Sequence, residues 1–409
     1  MLRNARLSLH IPEPSARPGD RPDFRHLALR PAGETRRPEP ESPAAEMRDL
    51  PYELVRVLDD QGQARGPWAP VIPPETLRRG LAAMVLTRAF DDRIFRLQRQ
   101  GKTSFYMRST GEEALSVAPS LVLDTGDMCF PTYRNVGFLM ARDYPLLDLV
   151  NQIFSNARDP LKGRQMPVLY SARDYGFYSV SGNLGSRVGH AVGWAMASAW
   201  SGDDKIALAY IGEGTTAEGA VHEALTFATV YHAPVILAIS NNQWAISSFH
   251  GLAGGNETTF AARALAYGLP GLRVDGNDFL AVHAAVAWAA ERARSNLGAT
   301  LIEFVTYRTS GHSTSDDPAR YRPDEEPAAF PLGDPVERLK THMIAAGHWS
   351  EADHDALVRD CGERVRATVK EGEAVGTLGV TKPPLGSMFE DVFKTPDWRQ
   401  IRQRREMEG

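Results

Sequence analysis

The sequence predicts an α/β fold: a parallel sheet covered by helices, with an extended N-terminal arm and a helical C-terminal part. Three observations predict it. Four short apolar runs, KIALAYI (205–211), PVILAIS (234–240), LRVDG (272–276) and TLIEFVTY (300–307), read as buried strands. Stretches with helical periodicity separate them, as parallel strands require. Polar residues stand at the exits of two of the strands: Glu213 between two glycines, and the pair Asn241–Asn242. In open α/β sheets, ligands sit outside those exits.

Along the chain, residues 1–50 are rich in Pro, Arg and Glu and carry few apolar runs. They predict an extended arm without a core of its own, wrapped on a partner. YELVRVL (52–58), followed by DDQG, predicts a short strand and turn. A long helix opens after Pro74, with Leu77, Leu81, Met84, Val85, Ile94 and Leu97 at roughly helical spacing, and ends at Gly101. The α/β part extends over 51–335 and closes with a polar, Pro-rich loop at 308–335. Helices at 335–346 and 350–371 and a short tail complete a C-terminal segment, 336–409, packed on the same domain. A helix from about Thr216 to Tyr231 carries Ala220, Ala224, Phe227 and Tyr231 on one apolar face. Gly185, Gly189, Gly193 and Ala197 share a face of another helix. Glycine weakens a helix, so the stripe predicts close approach of a neighbour, inside this chain or across a subunit interface.

Composition narrows the function. The chain has 409 residues, 43% hydrophobic and 24% charged, enough for a large core or two modest domains. A net charge of −5 gives no reason to expect nucleic acid or a membrane surface as partner. Two distant cysteines, Cys129 and Cys361, fit a reducing compartment. No apolar run approaches the ~20 residues that span a bilayer. The opening MLRNARLSLH is Arg-rich like a transit peptide, but Glu13 and Asp20 follow soon after. A bacterial cytoplasmic protein is expected before a mitochondrial one.

Gly212, Glu213 and Gly214 end one strand, and Asn241 and Asn242 end the next. Glycines let a backbone approach a phosphate closely, and a helix N-terminus offers free amides to it. A carboxylate and a side-chain amide are hard oxygen donors suited to Mg²⁺, which takes the rest of its shell from phosphate and water. The plainer alternative is a helix cap at Glu213 and a turn at the asparagines. A nicotinamide site is disfavoured, because Gly212–Gly214 lacks the GxGxxG spacing.

GEG at 212–214 followed by NN at 241–242 is similar to the thiamine diphosphate motif. RQGKTSFYMRSTGEEA (99–114), TYRNVGFLMARDYP (132–145), KGRQMPVLY (162–170), RVDGND (273–278) and YRTSGHSTSDD (307–317) extend the likeness. Over roughly residues 50–390 the chain resembles the alpha subunits of branched-chain 2-oxo acid dehydrogenase, the decarboxylating first component of that complex. The resemblance implies thiamine diphosphate held through Mg²⁺ by Glu213, Asn242 and the main-chain carbonyl of Trp244. It assigns Tyr133 and Arg134 to the diphosphate, Leu184 to support of the cofactor, and Gly212 and Gly214 to the backbone around it. His312 matches a catalytic histidine on a mobile loop, and the polar 308–320 segment is expected to order around the anion. Arg187 stands where a neutral Gln is common near a K⁺ site, so a guanidinium is expected in place of that cation. Ser240 stands where mammalian relatives have Arg.

The implied activity is decarboxylation of a small branched-chain 2-oxo acid, with transfer of the acyl group to the lipoyl group of an acyltransferase component. The implied assembly is two alpha and two beta subunits, the beta subunit supplying the rest of the site. Two alternatives stay open: a pyruvate or acetoin dehydrogenase alpha subunit, and a non-catalytic scaffold subunit with a decayed site.

Overall fold

The computed structural model describes residues 9–391 and 393–408, so most of the Arg-rich opening lies outside the described residues. Seven strands form: β1 (Met128–Phe130), β2 (Ala207–Gly212), β3 (Val235–Asn241), β4 (Trp244–Ala245), β5 (Ser248–Phe249), β6 (Gly271–Asp275) and β7 (Thr300–Val305). Five of them make one parallel sheet in the order β1-β2-β3-β7-β6, while β4 and β5 pair as a small ribbon. The four predicted runs are all strands of the sheet; β1 was not foreseen. The segment 52–58 forms no strand, only isolated bridges: a parallel one from Val55 to Val274 at the sheet edge and an antiparallel one from Leu58 to Ala64.

The strands are apolar on both faces because both faces are covered. Leu208, Tyr210, Ile236, Ala238, Ile302 and Phe304 point into one core. Ala207, Ala209, Ile211, Val235, Leu237, Ile239 and Leu301 point into the other. The first core is closed by the long helix α1 (Pro74–Arg99), by α2 (Glu113–Val122) and by the short α3 (Val136–Ala141) and α4 (Leu146–Phe154). The second is closed by α5 (Ser186–Ser201) and α6 (Gly219–Val230). A short α7 (Arg263–Ala266) precedes α8 (Phe279–Arg294), which lies on the first core, and α9 (Glu326–Ala329) ends the polar loop. The C-terminal part holds α10 (Pro335–Ala345), α11 (Glu351–Val375) and an unforeseen α12 (Trp398–Glu408) in the tail. The start of α11 is fixed by a capping box in which Ser350 and Asp353 satisfy each other's backbone N–H.

Two expectations, on the arm and on the face of α6, are corrected. The arm does not leave the chain. Trp288 Nε1 donates to the Pro38 carbonyl at 2.9 Å, Trp68 Nε1 to that of Arg36 at 2.9 Å, and Leu27, Met47 and Leu50 are buried. A Pro-rich arm without its own core therefore borrows the core of the domain it lies on. The inward face of α6 is Val221, Ala224, Leu225 and Ala228, whereas Phe227 and Tyr231 are more than half exposed and stack on each other. The helix is apolar on two faces, so periodicity alone could not choose between them. Of the glycine stripe, only Gly185 packs within the chain, against Glu218. Side chains added at Gly189 or Gly193 would meet open space among the described residues.

Asp278 joins several of these layers. Its Oδ1 accepts the N–H groups of Leu280 and Ala281, each at 3.0 Å, and so caps α8. Its Oδ2 accepts those of Val57 and Leu58 at 2.8 and 2.6 Å. The carboxylate is fully buried. Replacement by Ala orphans four buried donors, and Asp278→Ala is expected to lower stability by about 3 kcal/mol in denaturant unfolding. A loss under ~1 kcal/mol would contradict the assignment.

Candidate active site

At the carboxyl ends of β2 and β3 lies a cavity of about 600 Å³. Gly212, Glu213 and Gly214 border it from the turn after β2, and Asn242 and Trp244 from the turn after β3. Tyr133 and Arg134 reach it from the segment before α3, Leu184 from the segment before α5, and His312 from the polar loop. The structure thus gathers the expected positions from five separate stretches of chain. The twin asparagines divide: Asn242 borders the cavity, while Asn241 turns away and donates to Glu303 Oε1 at 2.7 Å. The glycines differ too. A side chain at Gly212 would stand in open space, whereas one at Gly214 would lie 2.5 Å from the Ala245 side chain. Gly214 is required by the close approach of the two turns.

The electrostatics of this edge are unusual. Glu213 is 1% exposed, and its Oε1 has no hydrogen-bond partner among the described residues. Its Oε2 meets only the backbone N–H of Asn242, at 3.4 Å. Burial pushes its carboxyl up to about 7, and the neighbouring Glu112 adds to the rise. A buried polar atom without a partner carries an energetic cost. A divalent cation would relieve it, since a carboxylate and an amide oxygen are its natural donors.

On the opposite wall, Arg134 is 3% exposed and carries its charge into the site. Its Nη2 donates to the His312 carbonyl at 2.7 Å and lies 3.3 Å from His312 Nδ1. A guanidinium only donates, so Nδ1 accepts and the ring proton sits on Nε2. Burial, followed by the charges of Arg134 and Arg308, holds the His312 imidazole down to about 3. The ring is neutral at pH 7 and acts as a hydrogen-bonding group, not as a cation. Its edge meets the Tyr133 ring at a centroid distance of 5.8 Å.

The 308–320 loop has contacts that its composition does not announce. It lacks apolar anchors but has polar ones. Arg308, buried, donates to the carbonyls of Trp244 at 2.9 Å and Ile246 at 2.8 Å, and to the Tyr321 hydroxyl at 2.7 Å. Arg322 donates to the carbonyls of Arg308, Thr309 and Ser310. Tyr321 donates to Asp316 Oδ2 at 2.6 Å, and Thr314 and Tyr106 bond reciprocally through N–H groups. A polar loop orders here because its own arginines satisfy its carbonyls. The Trp244 carbonyl, expected as a metal ligand, already accepts one of these bonds and retains a second lone pair.

Arg187 is buried, and its guanidinium donates to the carbonyls of Pro131 at 2.9 Å and Ser181 at 2.6 Å. It ties the segment before α5 to the one carrying Tyr133 and Arg134. Burial lowers it to about 10, so it stays charged at neutral pH. Ser240 borders the cavity with a buried hydroxyl that has no partner among the described residues. Several wall residues went unnamed in the sequence reading: Glu112 and the apolar Phe105, Met107, Met166 and Leu169. A signal for Glu112 was present, since two consecutive acids at the opening of the apolar helix α2 have no place in a core without partners.

Comparison with known proteins agrees with this geometry. The family described as "Dehydrogenase E1 component" matches residues 81–381, and the one described as "2-oxoisovalerate dehydrogenase E1 alpha subunit N terminal" matches residues 5–45. The chain is 56% identical over 402 residues to 2-oxoisovalerate dehydrogenase subunit alpha of Pseudomonas aeruginosa, covering 98% of each. It is 35% identical over 348 residues to the mitochondrial subunit alpha of Mus musculus, covering 83% of this chain and 76% of that one. It is 36% identical over 343 residues to subunit alpha 2 of Arabidopsis thaliana, covering 83% and 71%. Matched along most of its length, the chain belongs to the dehydrogenase E1 component family.

Proposed function

We propose that the chain is the alpha subunit of a branched-chain 2-oxo acid dehydrogenase, which decarboxylates acids such as 3-methyl-2-oxobutanoate and passes the acyl group to a lipoyl group of the acyltransferase component. The observation that carries the reading is the buried, unpartnered Oε1 of Glu213, set beside Asn242 in a cavity that also takes in Arg134 and His312. The residues fit thiamine diphosphate bound through Mg²⁺. Glu213, the Asn242 side-chain oxygen and the Trp244 carbonyl would hold the cation. No group of three or more His, Cys, Asp or Glu side chains among the described residues is arranged to hold a metal. A small protein share of the shell is what Mg²⁺ takes when a phosphate supplies the rest.

When bound, thiamine diphosphate supplies the electron sink for the carbon–carbon bond that breaks. The chain's own groups do the remainder. Arg134 is permanently charged and suits phosphate oxygens. Neutral His312 keeps a donor on Nε2 without adding charge beside Arg134. Phe105, Met107, Met166 and Leu169 line the cavity with apolar surface, which suits a branched alkyl chain. In a dry site, charge separated in the reacting acid is less stabilised by solvent and more by fixed groups.

The partner reading has separate support. Phe227, Val230, Tyr231 and Trp200 are all more than half exposed on α5, α6 and the residue just after α6, beside the open glycines of α5. Exposed aromatic surface next to a small-residue face suits a subunit interface. We assign that face to the beta subunit or to a second alpha subunit. No helix is long and apolar enough to cross a membrane among the described residues. The high identity to a bacterial relative supports a bacterial cytoplasmic setting.

Two outcomes are expected. The purified chain alone should not turn over 3-methyl-2-oxobutanoate, and co-expression with its beta subunit should give an active assembly of two alpha and two beta chains; full activity of the single chain would refute this. In that assembly, calorimetry should show Glu213→Ala and Asn242→Ala each weakening Mg²⁺-dependent thiamine diphosphate binding by ~2–4 kcal/mol, the scale for one lost charged contact in a buried site. Unchanged affinity in both would remove the metal assignment.

A further inference from the structure

Glu112 stands in the wall of the cavity at the foot of α2 and is 1% exposed. It touches two of the groups discussed above. Its Oε1 accepts from Asn242 Nδ2 at 2.7 Å and lies 3.6 Å from Arg134 Nε. A carboxamide has one donating and one accepting end, and an ionised carboxylate only accepts. The nitrogen end of Asn242 turns to Glu112, which leaves the oxygen end for other partners. That oxygen meets the Trp244 N–H at 3.3 Å, a long contact that leaves a lone pair free. The neighbouring asparagine has the same arrangement, with Glu303 taking the Asn241 amide nitrogen at 2.7 Å. Each asparagine of the pair is thus oriented by its own buried glutamate, and the two are turned to different sides.

We infer that Glu112 is a positioning residue, whose carboxylate fixes the Asn242 carboxamide so that its oxygen is the end available to the cation. A hydrogen bond between buried groups is costly to leave unmade, enough to hold a side chain with a free rotor in one orientation. Without Glu112, only the long bond from the Trp244 N–H holds the amide, and the flipped orientation offers the cation an N–H group. The inference rests on the reading that Glu213 and Asn242 hold the cation, and it adds a requirement which that reading alone does not contain.

The test is a Mg²⁺ titration of the complete alpha–beta enzyme at fixed thiamine diphosphate, followed by quenching of tryptophan fluorescence and by calorimetry. Glu112→Ala should raise the half-saturating Mg²⁺ concentration by about tenfold, with turnover largely recovered at saturating Mg²⁺. Glu112→Gln keeps an acceptor oxygen for the same bond and should stay within about threefold of the wild type. Glu112→Met fills the wall without an acceptor and should follow Glu112→Ala, which keeps the test open if the alanine variant does not fold. Normal Mg²⁺ dependence in the Ala and Met variants would overturn the inference. So would a Gln variant as weak as these two, because the negative charge and not the hydrogen bond would then be responsible. Thermal melts accompany the titration, since a purely structural role would lower stability without a selective rescue by Gln. If Glu213→Ala in the same assay behaves as the wild type, the reading of the metal site has failed, an outcome distinct from the failure of Glu112.

Discussion

A buried carboxylate with one oxygen left unpartnered among the described residues is the constraint around which this molecule is organised. Glu213 follows β2 in a sheet that is covered on both faces. Most of its strand interiors are apolar, with Glu303 and Arg273 set against each other as an exception, so most of the chemistry collects where the strands end. There the chain holds two buried carboxylates, Glu112 and Glu213, against the fixed charge of Arg134. Ionised and unmatched, such a cluster opposes folding. Glu112 is compensated within the protein by Arg134 and the Asn242 amide, but Glu213 Oε1 is not. The imbalance is local and directional, and its natural complement is a divalent cation bridging the carboxylate to an anion.

The surrounding structure reads as support for that edge. The Trp244 turn is held from one side by Arg308, which also ties down the loop bearing His312. From the other side it is held by the N-terminal arm: His26 lies 3.2 Å from the side-chain oxygen of Gln243, and Leu27 is buried in one cluster with Trp244 and Phe249. Arg187 joins the segments that carry Leu184 and Tyr133. Arm, loop and sheet therefore converge on one turn, although they are far apart in sequence.

Much of this was legible beforehand, for a physical reason. Strands buried on both faces leave mostly apolar runs, and a sheet of such strands leaves chiefly its ends for polar groups. Glu213 and Asn242 were recognisable because each follows such a run, and the sheet sets β2 beside β3. The face of α6 was not legible, because a helix apolar on two faces gives periodicity no preference; Phe227 and Tyr231, expected inside, lie outside. The path of the arm was hidden for a different reason. Its contacts are backbone carbonyls accepting from Trp68 and Trp288, and carbonyls carry no sequence signal. The order of the His312 loop was missed because polar composition was read as absence of anchors, whereas Arg308 and Arg322 anchor it through its own carbonyls. Glu112 lies in RQGKTSFYMRSTGEEA (99–114), but its role depends on which amide end faces it, a fact of three dimensions.

The central claim is that Glu213 and Asn242 share a divalent cation. A crystal structure of the alpha–beta enzyme with thiamine diphosphate and Mn²⁺ in place of Mg²⁺ tests it most directly, because Mn²⁺ is located by its anomalous scattering. The account predicts one strong anomalous peak about 2 Å from both a Glu213 carboxylate oxygen and Asn242 Oδ1. A peak elsewhere, or a Glu213 carboxylate satisfied by protein groups alone, would contradict it.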